Sequence, residues 1–308
     1  MVNPPLVQTV RSSGAILSWQ RVRPRVARAS SSPLLLIHGF ACGKGDWGAL
    51  PKMLAAKSKR DVLCFDNRGV GDSSSPEGPY TIAQMVDDAR VVVDAAGVER
   101  VSVLGISLGG MIAQSFALEH PGRTNALILG CTTHGGREAL PPPAEFFGLC
   151  QSLAAAPDAH DGVDSFLRWM LPPELLAQPG GAKFLEQFRT AFLKTSRTTP
   201  GLLGQLAAMG KFSSIKSLEH IASPTLVISG DEDAVVPPGN SASLVSRIDG
   251  ARLRMWEGAG HFWWAHKPVE VAELLARFLV DCDPPAAGGR GAEGMEGGEG
   301  GEAGRSLG

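Results

Sequence analysis

A chain of 308 residues that is 44% hydrophobic can bury a sizeable core, as one α/β-type domain or one such domain with an insertion. A formal net charge of −2 and a pI near 6.4 leave no strongly basic surface, which argues against nucleic acid or an anionic membrane as partner. Five cysteines, odd in number and free of any C-x-x-C pair, argue against a disulfide framework or a zinc site and fit a reducing compartment.

No apolar run approaches the length needed to span a bilayer, and the first residues lack the apolar segment of a signal peptide. The expected location is therefore the cytoplasm. The basic, serine-containing stretch from Arg21 to Ser32 has some flavour of a transit peptide. The segment before it already has strand character, however, so Arg23 to Ser32 is expected to form a solvated hairpin turn.

In chain order, Val7–Val10 and Ala15–Val22 are expected as strands, followed by the unbroken apolar run Leu34–Ile37, which ends in His38-Gly39. A glycine-rich loop and a helix from about Trp47 to Lys59 come next. Then follow a strand at Asp61–Phe65 and the turn-rich stretch Asp66 to Ser73. Unbroken apolar runs, as opposed to alternating ones, suit strands covered on both faces of a parallel sheet.

Thr81 and Gln84 have the spacing of a capping box. After them Ile82, Met85, Val86, Ala89 and Val93 share one helical face, up to a stop at Gly97. Strand Val101–Leu104, helix Leu108–Glu119 and strand Ala126–Leu129 continue a strand–helix–strand alternation, which implies parallel crossovers with helices on both faces of the sheet.

The alternation stops after Cys131. Helical patterns at Glu145–Ala156, Val163–Leu171, Ala182–Thr195 and Leu202–Met209 fill roughly 90 residues without a strand, which is too long for a loop and suits a helical cap over residues 132–222. Strands resume at Thr225–Ile228 and Arg252–Trp256, and a last amphipathic helix runs from Pro268 to about Val280. The core is thus expected from residues 1–131 and 223–283. Residues 284–308, glycine-dominated with Glu293, Glu296, Glu299 and Glu302 at every third position, have the composition of a disordered tail.

Gly105-Ile106-Ser107-Leu108-Gly109 lies between a strand and a helix, in the context of a nucleophile elbow. About 0.4 such pentapeptides are expected by chance in a chain of this composition, so its neighbours must carry the reading. After Thr225–Ile228 the loop offers Asp231, Glu232 and Asp233 as carboxylates. After Arg252–Trp256 the small-residue loop presents His261. Serine, acid and histidine therefore occur in that order, each just past a strand, where open α/β sheets place their sites.

On these residues, with His38-Gly39-Phe40, Asp66-x-Arg68-Gly69-x-Gly71-x-Ser73, Gly230-x-x-Asp233-x-x-Val236-Pro237 and Gly260-His261, the chain resembles the α/β-hydrolase superfamily. The likeness is to its cap-bearing esterases, lactonases and cofactor-free haloperoxidase-like proteins, and it covers about Val7 to Val280. The resemblance implies a mostly parallel eight-stranded sheet flanked by helices, with a helical cap insertion.

The same resemblance implies a serine hydrolase. Ser107 would be the nucleophile, His261 the base and Asp233 the acid that orients it. The N–H groups of Phe40 and Leu108 would form the oxyanion hole. No cofactor and no metal are implied, and the partner would be a small-molecule ester or lactone. Haloperoxidase-like or C–C bond hydrolase chemistry, or a ligand receptor on the same scaffold, are the alternatives.

Related epoxide hydrolases and haloalkane dehalogenases carry aspartate where Ser107 stands, and the single tyrosine, Tyr80, lies outside the cap. Asp66 and Arg68 are expected to stabilise a loop, the Phe40 side chain and Cys42 to line the pocket, and His38, His134 and His266 to have no catalytic role.

Overall fold

The computed structural model describes residues 7–28, 31–157 and 159–283. The glycine-rich tail expected at 284–308 lies outside them. An eight-stranded sheet forms the centre, in the order β1-β2-β4-β3-β5-β6-β7-β8. Its strands are β1 (Val7–Ser12), β2 (Ala15–Val22), β3 (Leu34–Ile37), β4 (Val62–Phe65), β5 (Val101–Ile106), β6 (Thr124–Gly130), β7 (Thr225–Gly230) and β8 (Arg252–Trp256). Only the β1–β2 and β2–β4 pairings are antiparallel; every pairing from β4 to β8 is parallel.

Strands β3, β4, β5, β6 and β7 are buried along their whole length, as expected of apolar runs covered on both faces. The covering helices are α1 (Leu50–Ser58), α2 (Ile82–Ala95), α3 (Leu108–Glu119), α9 (Gly239–Val245), α10 (Trp263–His266) and α11 (Pro268–Asp281). Thr81 caps α2 as its spacing predicts: its hydroxyl accepts the Gln84 N–H, while the Gln84 side chain accepts the Thr81 N–H.

Between β6 and β7 the chain forms α4 (Ala144–Ala155), α5 (His160–Met170), α6 (Pro173–Ala177), α7 (Gly181–Lys194) and α8 (Thr199–Gly210). This segment is called the cap below. No described helix is long and apolar enough to cross a membrane.

Several boundaries differ from expectation. The stretch from Arg23 is not a hairpin turn: β2 pairs with β1 and β4, and β3 lies on the far side of β4. The connection therefore passes β4, because the fully buried run Leu34–Ile37 belongs in the middle of the sheet. The helix expected from Trp47 to Lys59 is split into a 3₁₀ turn at Lys44–Trp47 and α1, with Gly48 at φ 59 between them.

Strand β5 runs two residues further than its apolar pattern suggests, because Gly105 and Ile106 still pair with Leu129 and Gly130 of β6. Helices α6, α9 and α10 escaped the reading. The first is a five-residue helix behind Pro172, the second, Gly-Asn-Ser-Ala-Ser-Leu-Val, carries no amphipathic period, and the third is a single turn of four residues.

Candidate active site

Strand β5 passes directly into α3 through Ser107, whose φ of 54° and ψ of −120° are unusual for a residue with a side chain. The turn is that sharp because its neighbours are glycines in near contact with other backbone. A Cβ on Gly105 would lie 2.1 Å from the Gly109 oxygen, and a Cβ on Gly109 would lie 2.1 Å from the Ile37 oxygen. The Ser107 N–H donates to Gly130 O at 3.0 Å, and Thr132 Oγ1 donates to Ser107 O at 2.7 Å, so both sides of the turn are tied to the end of β6.

His261 follows β8 and packs beside β7, where a Cβ on Gly230 would meet the Ala259 oxygen at 2.0 Å. Its Nδ1 lies 2.9 Å from Asp233 Oδ2 and 3.1 Å from Oδ1. Asp233 is held in place by the N–H groups of Val235 and Val236, which donate to Oδ1 at 2.8 and 2.9 Å. A proton on Nδ1, donated to the carboxylate, leaves Nε2 with a free lone pair. The other two carboxylates of the loop are elsewhere engaged: Asp231 accepts the Gly258 N–H at 2.8 Å, and Glu232 stands beside Glu174 with its carboxyl pushed upward.

Ser107 and His261 line one cavity together with His38, Gly39, Phe40 and Cys42. Among the described residues no hydrogen bond closes between Ser107 Oγ and His261. The serine, the histidine and Asp233 are 8%, 3% and 5% exposed, so charge formed there is shielded from bulk water. The rest of the wall is apolar apart from Thr132 and Thr133. Met111 comes from α3, Phe146, Phe166, Met170 and Met209 from the cap, and Val235, Val236 and Phe262 from the strand-end loops. Among the described residues no lysine or arginine lines it.

The loop after β3 passes close to Ser107: a Cβ on Gly39 would sit 3.6 Å from Ser107 Oγ, and Phe40 lines the same cavity. Among the described residues the N–H groups of Phe40 and Leu108 have no acceptor, which leaves them available to a ligand. The Phe40 ring and Cys42 are cavity wall, as expected.

Asp66 holds its own loop region, Arg68 holds helix α2, and neither lines the cavity. The Asp66 carboxylate accepts the Lys44 and Asp72 N–H groups, and Arg68 pairs with Asp88 at 2.6 Å. His38 accepts the Gly39 N–H on Nδ1 at 2.8 Å. Its pKa is pushed down to about 3 by burial and by the neighbouring His261 and Arg197 charges, so it is neutral.

The sequence reading missed several neighbours of the site. Cys131, at φ 41°, places its sulfur within 4.8 Å of the ligand atoms of Asp233 and His261. Burial and the Asp233 charge push its thiol well above the ordinary range, which makes it a packing neighbour and not a nucleophile. From the cap come Arg197 and Gln205, both buried, with hydrogen bonds into the Phe40 loop. A signal existed for Gln205, the one polar side chain among Leu202, Leu203, Gly204, Leu206, Ala207 and Ala208. Nothing local marks Arg197.

A model of the alpha/beta hydrolase fold matches residues 32–263, three quarters of the chain and both ends of the site. The chain belongs to the α/β-hydrolase fold family. This α/β-hydrolase is 28% identical to a poly(3-hydroxyalkanoate) depolymerase of Ectopseudomonas oleovorans, over 94% of its own length and all of the relative's. It is 30% identical to a 2-hydroxymuconate semialdehyde hydrolase of a Pseudomonas species, over 82% of its own length and 89% of the relative's. A solved hydrolase from Pseudomonas aeruginosa superposes with a TM-score of 0.75 at 30% identity, over 89% of this chain and 98% of that one. An enol-lactonase from Burkholderia xenovorans superposes at 0.77 over 89% and 100%; at 22% identity it bears on the fold alone.

Proposed function

We propose that this α/β-hydrolase is a serine hydrolase that cleaves carboxylic esters or lactones with neutral, apolar acyl groups through an acyl-enzyme. The observation that carries the proposal is the pairing of His261 with Asp233 on the wall of a cavity that also exposes Ser107 and is otherwise mostly apolar. A carboxylate-bearing substrate would bury its charge in that cavity without a cation to meet it, which is unfavourable. Resemblance to a depolymerase named for an ester polymer supports the same bond type.

In this reading His261 Nε2 takes the Ser107 proton as Oγ adds to the acyl carbon. Asp233 holds the ring in the tautomer that leaves Nε2 free and stabilises the imidazolium that results. The carbonyl oxygen, now negative, accepts the Phe40 and Leu108 N–H groups, at the start of α3 where the helix dipole favours negative charge. Loss of one such donor costs on the order of 3 kcal/mol. Collapse expels the alcohol, which takes the proton from His261. Water then repeats the sequence on the acyl-enzyme.

Two measurements test this. A fluorophosphonate probe is expected to label the wild-type chain and not Ser107→Ala. Initial rates on p-nitrophenyl esters of rising acyl length, with a set of lactones, are expected to rise with chain length until the cavity is filled. Wild-type protein that stays unlabelled while a control serine hydrolase reacts sinks the proposal. A preference for acids bearing a second carboxylate sinks the apolar-acyl part of it.

A further inference from the structure

The N–H of Phe40, placed above as an oxyanion donor, belongs to the planar Gly39–Phe40 peptide, so the Gly39 carbonyl points the opposite way in the same plane. That carbonyl accepts the Cys42 N–H at 3.3 Å. The Cys42 N–H in turn shares a planar peptide with the Ala41 carbonyl, and Ala41 O accepts Arg197 Nε of the cap at 2.7 Å. The intervening Phe40–Ala41 peptide is held from the cap as well, because the Ala41 N–H donates to Gln205 Oε1 at 3.1 Å.

Ala41 itself has φ 62°, a left-handed conformation that costs a residue with a Cβ some strain and persists when its surroundings impose it. Both of its polar backbone atoms are bound by cap side chains. Those side chains are themselves fixed. Arg197 Nη1 donates to Phe192 O and Thr195 O, each at 2.6 Å, its guanidinium lies 3.3 Å from the Phe192 ring centre, and Gln205 Nε2 donates to Arg68 O at 2.9 Å.

We propose that Arg197 and Gln205 are positioning residues for the oxyanion hole, so that the cap sets the orientation and strength of the Phe40 donor as well as roofing the cavity. Two amide units in series connect the guanidinium to the Phe40 N–H. A positive charge at one end of such a chain polarises each amide toward the next and makes the terminal N–H a stronger donor. The inference rests on the serine-hydrolase reading. It adds that cap and catalytic machinery are one hydrogen-bonded unit.

The test compares wild type, Arg197→Met and Gln205→Met with a pair of alkyl ketones of the same chain length. With a trifluoromethyl ketone, the bond from Ser107 Oγ to the carbonyl carbon forms, the carbonyl π pair moves onto oxygen, and the Ser107 proton passes to His261. The adduct therefore reads the oxyanion hole. The methyl ketone stays a neutral ligand and reads only the apolar cavity.

Both variants are expected to bind the trifluoromethyl ketone at least tenfold more weakly and the methyl ketone within twofold of wild type. On the best ester, kcat is expected to drop by tenfold or more with KM within threefold. Equal losses for the two ketones would overturn the proposal, since the cap residues would then only shape the cavity. No loss for either would overturn it too. If Arg197→Met does not fold, Gln205→Met, a near-isosteric change, decides alone. Failure of wild type to react with the trifluoromethyl ketone or the fluorophosphonate would sink the underlying reading, and this proposal with it, before any variant is compared.

Discussion

Asp233 and Asp231 lie two residues apart and differ in what their backbone lets them reach. Oδ1 of Asp233 is captured by the Val235 and Val236 N–H groups, which turns the carboxylate onto His261 Nδ1, whereas Asp231 faces the Gly258 N–H. Asp233→Asn is therefore expected to lower kcat by roughly 10⁴-fold, because an amide favours the wrong imidazole tautomer. Asp231→Asn is expected to stay within a few-fold of wild type. Rates on one p-nitrophenyl ester decide between them, and an inactive Asp231→Asn beside an active Asp233→Asn would reverse the assignment. The sequence offered three carboxylates in this loop, and motif resemblance alone chose among them. Which one meets the histidine follows from a turn closed by two N–H bonds, a contact that leaves no trace in residue type.

At the scale of elements, the turn from β5 into α3 shows how little of a tight junction is written in apolar periodicity. The pattern ends β5 at Leu104, two residues short, since glycine has no side chain to alternate. The same glycines are what let α3 approach β3. Gly109→Ala is expected to destabilise the protein by about 1–3 kcal/mol and to abolish the proposed hydrolysis, because its Cβ would lie 2.1 Å from the Ile37 oxygen, which is backbone and cannot swing away.

Gly148 offers the contrast. It sits inside α4 with open space around a Cβ, so Gly148→Ala is expected to add about 0.5–1 kcal/mol with activity unchanged. Urea unfolding of the two variants measures both. A Gly109→Ala protein as stable and as active as wild type would show that the elbow has room to spare. Cap helix α5 was legible for the opposite reason. α5 buries Val163, Phe166, Leu167 and Met170, and that spacing is visible in the chain.

Across the whole molecule, the loop after β3 and the cap meet around a buried charge. Burial pushes the Asp46 carboxyl up to about 6, against the lowering effect of Arg197 and of hydrogen bonds from Gly43 and Thr195. A carboxyl whose folded pKa lies above its unfolded value of 3.8 contributes stability that is fully present below that value. The contribution is lost as pH rises through about 6. His38 acts in the other direction. Its pKa near 3 contributes stability present above 6.5 and lost as pH falls toward 3, so the two oppose each other across mildly acidic pH.

Asp46→Asn removes one of the two and keeps the acceptor for Gly43 and Thr195. Relative to wild type, the variant is expected to be about equal in stability at pH 4 and more stable at pH 7 by about 2–3 kcal/mol. Urea titrations at both pH values check the sign. A stability difference that does not change with pH would refute it.

What the sequence determined by itself was whatever depends on local pattern. That covers the strands read from unbroken apolar runs, the helices read from their period, the capping of α2, and the order of Ser107, Asp233 and His261, each just past a strand. These are legible because covering a sheet on both faces, or a helix on one, constrains residue type at fixed spacing. Tertiary structure decided where Arg23 onward leads, which carboxylate faces His261, that Cys131 packs against that pair, and that Arg197 and Gln205 reach the Phe40 loop from more than 150 residues away. Those contacts involve single polar groups, often backbone, brought together by the packing of the cap on the sheet. A hydrogen bond to a carbonyl places no demand on the residue that bears it, so such a contact cannot be read until the chain is folded.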